Sequence, residues 1–299
     1  MNTLGRAAVS LSVGDVIAKY LDDKIGLNGQ GKSQANSLQA PLKGLGGIFV
    51  ADLSPEHVVF YRRKRTGLGI ATGTVRRELG ALRAALKWAE RTRIIPVGSL
   101  PHFDLPPDGA ARQGYLDRDQ EALFWTAARD RALDKSLSDS VRRVGLFVCL
   151  ALETAGRMSA VLGLTWDRVD FVRKMVDLRD PKMTVTKKRR VMLPMSEELC
   201  EVLEQVWAEA GQPLDGLVLG HDGSLRFAFT AFRAELGFDW LHIHDLRRTW
   251  ATLRVMSGVP LGEVAAFMGD TVAVVERHYA MFSPDYLRRA AGAGRRAGP

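Results

Sequence analysis

Residues 96–114 hold four prolines and three glycines (Pro96, Pro101, Pro106, Pro107; Gly98, Gly109, Gly114) and show neither helical nor strand periodicity. Proline removes a backbone donor and glycine weakens any regular element, so this segment can neither continue a helix nor enter a sheet. It divides a chain of 299 residues into two parts, each long enough for a core of its own. The first domain is placed at 1–105, the linker proper at 106–114 and the second domain at 115–299.

Ahead of the linker the pattern is helical. Ser12-Val-Gly-Asp15 fits a capping signal, and Val13, Val16, Ile17, Tyr20 and Leu21 fall on one helix face. Residues 26–47 are rich in Gly and Ser and are expected to contain a loop. A second helix opens at Ser54-Pro55-Glu56 and closes on Arg62-Arg63-Lys64-Arg65. In a third, Val75, Leu79, Leu82, Leu86 and Ala89 step by four and three, and Arg76, Arg77, Arg83 and Lys87 line the opposite side. This domain reads as a helical bundle with basic outer faces.

Charge follows the same division. Residues 1–108 carry 15 basic and 9 acidic side chains, while residues 109–299 carry 27 and 25. A basic first domain beside a nearly neutral second one points to a polyanion partner, nucleic acid ahead of plain solubility. The hydrophobic fraction of 46% and charged fraction of 25% exclude a disordered, collagenous or coiled-coil chain. Val144–Leu152 is too short an apolar run to cross a membrane, and no secretory leader is visible. Cys149 and Cys200 sit in apolar helical patterns and read as buried free thiols, which makes a cytoplasmic protein the expectation.

Beyond the linker, helices are expected over 117–132 and 138–153. Short β patterns follow at 169–172, 175–178 and 190–192, and helices resume from Ser196, with a last one over 284–291. The fold class is therefore mainly α with a small antiparallel sheet. Two motifs are dismissed. Gly67-Leu-Gly69-Ile-Ala-Thr-Gly73 has one residue too many for a dinucleotide fingerprint and follows no strand, and His242 and His244 lie on different helix faces, so no metal pair is expected.

Isolated polar groups at helix ends are more informative. Thr154-Ala-Gly-Arg157 interrupts a helix, and an arginine opening the next one opposes the dipole, so an anion should compensate for it. Lys187-Lys188-Arg189-Arg190 lies between two expected strands, where a hairpin would present it. His244-Asp-Leu-Arg247 puts a histidine and an arginine on one face, and Tyr279 ends a short helix. Singly, each has a plain explanation: a surface ion pair, a solvated turn, an N-cap, a core aromatic. Together, two guanidiniums, a lysine, a histidine and a tyrosine are what phosphoryl transfer to a protein hydroxyl requires.

In this order the residues resemble the tyrosine recombinase (phage integrase) family, whose pattern runs Arg, Lys, His-x-x-Arg, His or Trp, and Tyr. The likeness rests on Thr154–Arg157 with Leu162-Gly-Leu-Thr-Trp166, the 187–190 hairpin, His244–Arg247, Met268-Gly-Asp270 and Glu276-Arg-His-Tyr279. It covers about residues 11–290, the first domain being similar to the family's helical core-binding domain. The resemblance implies catalytic roles for Arg157, Lys188, His244, Arg247 and Tyr279, with Asp270 at the remaining position. Among the lysines, Lys188 fits the hairpin best, Lys187 next, and Lys182 needs a longer turn. It further implies a site-specific enzyme that cuts and rejoins double-stranded DNA through a 3′-phosphotyrosine, without metal or other cofactor. Such an enzyme would integrate or excise a mobile element as a tetramer on DNA, the two domains clamping the duplex.

DNA contacts are expected from Arg62, Arg63, Lys64, Arg65, Arg76, Arg77, Arg83, Lys87, Lys187 and Arg189. With about ten residues before the first helix, a separate arm-binding domain of the lambda type is not expected. Two departures stand out. The family usually carries Glu or Asp where this chain has Ala160, and His or Trp where it has Asp270, a carboxylate that would repel a phosphate unless paired or turned away. These departures keep two alternatives open, a DNA-binding recombination cofactor that has lost catalysis and a type IB-like topoisomerase.

Overall fold

The computed structural model describes residues 11–28, 31–107, 114–179 and 191–283. The chain separates into two compact units, Met1–Arg112 and Gln113–Pro299.

In the first unit, α1 (Val13–Asn28) begins with the reciprocal cap that Ser12 and Asp15 encode. The Ser12 hydroxyl donates to Asp15 Oδ2 at 2.7 Å, and the Asp15 N–H donates back to Ser12 Oγ at 3.1 Å. Within the stretch expected to contain a loop lies a further helix, α2 (Gly31–Leu45), with Pro41 inside it, which the sequence pattern does not reveal. Propensity argued against that helix, and packing overrides propensity. Leu38 and Leu45, two helical turns apart, are buried, and each contributes about 1.5–3 kcal/mol against the ~1 kcal/mol that a helical glycine costs. One of those glycines is a packing residue: a Cβ on Gly44 would come within 2.9 Å of the Tyr61 ring. Helices α3 (Pro55–Gly67) and α4 (Thr72–Arg91) complete the bundle. Val75, Leu79, Leu82, Leu86 and Ala89 of α4 are wholly buried, as their spacing predicts. Ile95 and Phe103 join this core.

The second unit is organised around α6 (Asp139–Thr154), buried from Arg143 through Leu152, against which α5 (Arg118–Leu133) packs. Gly145 permits that approach, since a Cβ there would lie 2.8 Å from the Ala132 nitrogen. After the five-residue α7 (Met158–Leu162), three strands form an antiparallel sheet in the order β1 (Val169–Asp170), β2 (Met175–Asp177), β3 (Met192–Pro194). Val169 pairs with Val176, and Val176 with Leu193. β1 is shorter than its β-branched run suggested. The Asp170 side chain accepts from the Arg173 N–H at 2.8 Å and starts a turn that leaves Val172 almost fully exposed. The third strand starts at Met192, and Arg190 lies outside the described residues.

Helices α8 (Glu197–Glu209), α9 (Arg226–Glu235), α10 (Ile243–Met256), α11 (Leu261–Met268) and α12 (Val272–Tyr279) follow. The last three share a small core of their own in which Ala155, Trp250, Val264, Val275 and Tyr279 meet. Ala155, the residue between α6 and α7, thus touches the elements that carry the candidate chemistry. The helix expected over 284–291 lies outside the described residues. Among the described residues no helix is long and apolar enough to cross a membrane, and Cys149 and Cys200 are both free and buried.

Candidate active site

Every residue of Thr154-Ala-Gly-Arg157 has a local reason to be where it is. The Thr154 hydroxyl donates to the Leu150 carbonyl at 2.5 Å and accepts from the Gly156 N–H at 3.1 Å, closing α6. Ala155 takes the left-handed conformation (φ 49°) that ends the helix. A Cβ on Gly156 would meet Val161 at 2.6 Å. Arg157 then occupies the N-cap of α7, half-buried, with its guanidinium turned to a carboxylate: Nη2 donates to Asp270 Oδ2 at 3.1 Å. This is the compensating anion that an arginine at a helix start requires.

Arg247 reaches the same oxygen from the other side. It lies on α10, 4% exposed, and donates to the Ala155 carbonyl at 2.6 Å, the Met268 carbonyl at 3.0 Å and Asp270 Oδ2 at 2.8 Å. Two guanidiniums therefore converge on one carboxylate oxygen. Burial and the nearby Arg157 charge lower the Arg247 pKa, and the Asp270 contact opposes them. Ala160 is buried in α7 beside both arginines, in a small cavity that Met268 also lines.

Asp270 falls between two helix signals. Gly269, at φ 63°, caps the C-terminus of α11, and Thr271 caps α12 by accepting from the Val274 N–H at 3.3 Å. Tyr279 ends α12 and is 7% exposed. Burial pushes its hydroxyl above the ordinary tyrosine range, the charges of Arg248 and Arg247 pull it down, and Asp270 pushes it up again. Its neighbour His278 is exposed and turned aside, the two ring centres 6.3 Å apart.

His244 sits on the first turn of α10 at the mouth of an open cavity of about 540 Å³, which Gly156, Met158, Arg226, Thr230 and Arg233 also line. Desolvation and the charges of Arg247, Arg248 and Arg157 lower its pKa below the ordinary histidine value. The ring is therefore neutral at pH 7 and able to accept a proton. Among the described residues no group of three His, Cys, Asp or Glu side chains could hold a metal ion.

The structure thus brings Arg157, Arg247, Asp270 and Tyr279 together, with His244 beside them. Lys187, Lys188 and Arg189, together with Lys182 and Arg190, lie outside the described residues. Sequence reasoning passed over Arg248, whose Nη1 pairs with the buried Asp245 at 2.9 Å while its charge acts on Tyr279. The second arginine of His-Asp-Leu-Arg-Arg was the available signal. It also passed over α9, where Arg226, Thr230 and Arg233 repeat at four and three toward the cavity and Phe227 is 91% exposed.

The basic face of the first unit separates into two groups. Arg63, Lys64, Arg77, Arg83 and Lys87 are exposed. Arg65 instead holds the buried Glu78 through Nε at 3.0 Å and Nη2 at 2.5 Å, and Tyr61 donates to the same carboxylate at 2.8 Å. Arg62 is paired with Asp104, and Arg76 donates to the Pro106 carbonyl at 2.5 Å. The run Arg62–Arg65 is therefore half surface and half internal support.

Residues 116–281 match the model of the phage integrase family. The chain is 28% identical over 151 residues to the integrase of Salmonella phage P22, covering 46% of this chain and 38% of that protein. It is 25% identical over 296 residues to the prophage integrase IntF of Escherichia coli (strain K12), covering 91% of this chain and 60% of that protein. The chain spans less than two thirds of the length of both. Its backbone resembles the transposon Tn1549 integrase in complex with a circular intermediate DNA (TM-score 0.71, 16% identity, 95% of this chain and 99% of that one). It also resembles a lambda integrase tetramer bound to a Holliday junction (TM-score 0.64, 14% identity, 89% and 79%). At such identities these two likenesses concern the fold.

Proposed function

The chain belongs to the phage integrase family, and from that premise we propose that it cuts and rejoins double-stranded DNA with Tyr279 as nucleophile. The observation that carries the reading is the convergence of Arg157 and Arg247 on a single anionic oxygen beside Tyr279, whose hydroxyl feels both Arg247 and Asp270.

A phosphodiester's non-bridging oxygens gain charge in the transition state, and arginine forks that stay charged are suited to hold them. Tyrosine is a weak nucleophile at its ordinary pKa, so a base must take its proton. His244, kept neutral by desolvation and by the cationic charges around it, accepts that proton, and Arg247 and Arg248 stabilise the tyrosinate. The Tyr279 oxygen bonds to phosphorus, the bond from phosphorus to the 5′ oxygen breaks, and Lys188 gives a proton to the departing 5′ oxygen, which leaves as a hydroxyl. The resulting 3′-phosphotyrosine conserves the energy of the phosphodiester, so the reverse attack reseals the strand without ATP or metal. Arg63, Lys64, Arg77, Arg83 and Lys87 supply phosphate contacts. On this reading the protein integrates or excises a mobile element and works as a tetramer on DNA.

A rival reading, a DNA-binding recombination cofactor without catalysis, draws its support from Asp270, which fills the arginine fork with a carboxylate. A nicked duplex whose cleaved end diffuses away separates the two. The enzyme accumulates a covalent protein–DNA adduct that survives denaturing gel electrophoresis, whereas the cofactor forms none.

A further inference from the structure

We infer that Asp270 is an internal competitor for the scissile phosphate, its carboxylate occupying the anion seat between Arg157 and Arg247 until DNA displaces it. This rests on the proposed function for the identity of the displacing ligand, and on geometry for the seat. Oδ2 of Asp270 accepts from Arg157 at 3.1 Å and from Arg247 at 2.8 Å. A phosphoryl oxygen bound by both guanidiniums needs that same point, so the two anions exclude one another.

The contacts of Arg247 argue against reading Asp270 as a support that aims the arginines. Its guanidinium is already fixed by the Ala155 carbonyl at 2.6 Å and the Met268 carbonyl at 3.0 Å, and neither bond involves Asp270. The carboxylate adds occupancy where position is already secured. It also has an exit. The Asp270 side chain is 23% exposed, and the residue stands in the short turn between α11 and α12, preceded by Gly269 at φ 63°. A glycine in that conformation tolerates backbone rotations that other residues resist. The same turn leads directly into the helix that ends at Tyr279, so a movement of Asp270 is passed to the nucleophile's own element.

Occupancy of the seat silences the site twice over. It denies the phosphate its two donors, and its negative charge makes the Tyr279 hydroxyl harder to ionise. Phosphate entry reverses the first effect by exchanging one anion for another between the same guanidiniums, with no new charge to neutralise.

The test uses the full chain without DNA and inorganic phosphate as the probe, with affinity read by calorimetric titration. Asp270→Asn removes the competing charge at constant shape, and Asp270→Ser serves if the amide disturbs folding. Asp130→Asn, whose exposed side chain pairs only locally with Arg129, is the control. The inference predicts phosphate affinity at least tenfold higher in the Asp270 variants than in wild type and the control. It also predicts that Arg157→Ala in the Asp270→Asn background abolishes the gain. Equal or weaker phosphate binding in folded Asp270 variants overturns it. The result is independent of catalysis: a gain in affinity with no covalent adduct from any form supports the seat and defeats the proposed function. An adduct from wild type with unchanged phosphate affinity does the reverse.

Discussion

Arg247→Ala should weaken the fold as well as the chemistry, and the size of the loss can be worked from its contacts. The side chain is 4% exposed and donates to two main-chain carbonyls, on Ala155 and Met268, residues that are themselves buried. Truncation leaves both carbonyls without this donor in a site too enclosed for free hydration. A buried acceptor stripped of its partner costs about 1–3 kcal/mol, so the pair costs about 2–6 kcal/mol, a large part of the ~5–15 kcal/mol that holds a domain together. Asp270 keeps Arg157, and its contribution is left out of the sum. Urea unfolding of the full chain reads the effect: at a slope of about 2 kcal/mol per molar, the midpoint should fall by roughly 1–3 M. A loss below about 0.5 kcal/mol would show that the carbonyl contacts carry no load and refute the anchoring argument. The resemblance alone gives Arg247 a catalytic role; its carbonyl contacts add a structural one. The structure makes Arg157→Ala the cleaner probe, because it leaves both Arg247 carbonyl contacts in place and should slow adduct formation by roughly 10²–10³.

Replacing Arg77, Arg83 and Lys87 together by Ala should reduce the slope of log DNA affinity against log salt by about 3, at ~0.9 per phosphate contact. Arg65→Ala should instead lower stability, since the buried Glu78 loses its cationic partner and keeps only Tyr61 as a donor; an unchanged melting temperature would contradict this. Gly145→Ala forces a Cβ against the α5 backbone and should destabilise the second unit by about 1–3 kcal/mol; a neutral result in urea unfolding would mean the two helices separate freely. For His244, a pKa lowered below 6.5 means that the neutral, proton-accepting form persists into mildly acidic solution. Adduct formation, and the small stability linked to keeping this ring neutral, should fall only as pH drops below that value. An acid limb at or above pH 6.5 that disappears in His244→Gln would show that the ring is not perturbed.

Much of this architecture was legible because the signals were local. The stripe from Val75 to Ala89, the reciprocal Ser12–Asp15 cap and the break at Thr154–Arg157 each act within a few residues, so spacing alone reveals them. α2 was missed because its glycines and serines are weak helix formers, and what holds it is distant: Leu38 and Leu45 in the shared core, Gly44 against Tyr61. The same distinction governs the basic face, where Arg63 and Arg65 are indistinguishable in sequence. Only the buried Glu78, thirteen residues beyond Arg65, decides which of them is spoken for. Asp270 is the sharpest case. As a lone carboxylate it reads as a defect, and its partners lie 113 and 23 residues away. No pattern in the chain pairs them.

The account stands on Tyr279 as the residue that becomes bonded to DNA, and mapping the adduct tests this directly. Full-length protein is trapped on the nicked duplex, digested with protease and nuclease, and the nucleotide-bearing peptide is sequenced by mass spectrometry. The mass of one nucleotide should lie on Tyr279, and Tyr279→Phe, which keeps the ring and the fold, should yield no adduct. A modification found on any other tyrosine, or an adduct that persists in Tyr279→Phe, would contradict the assignment.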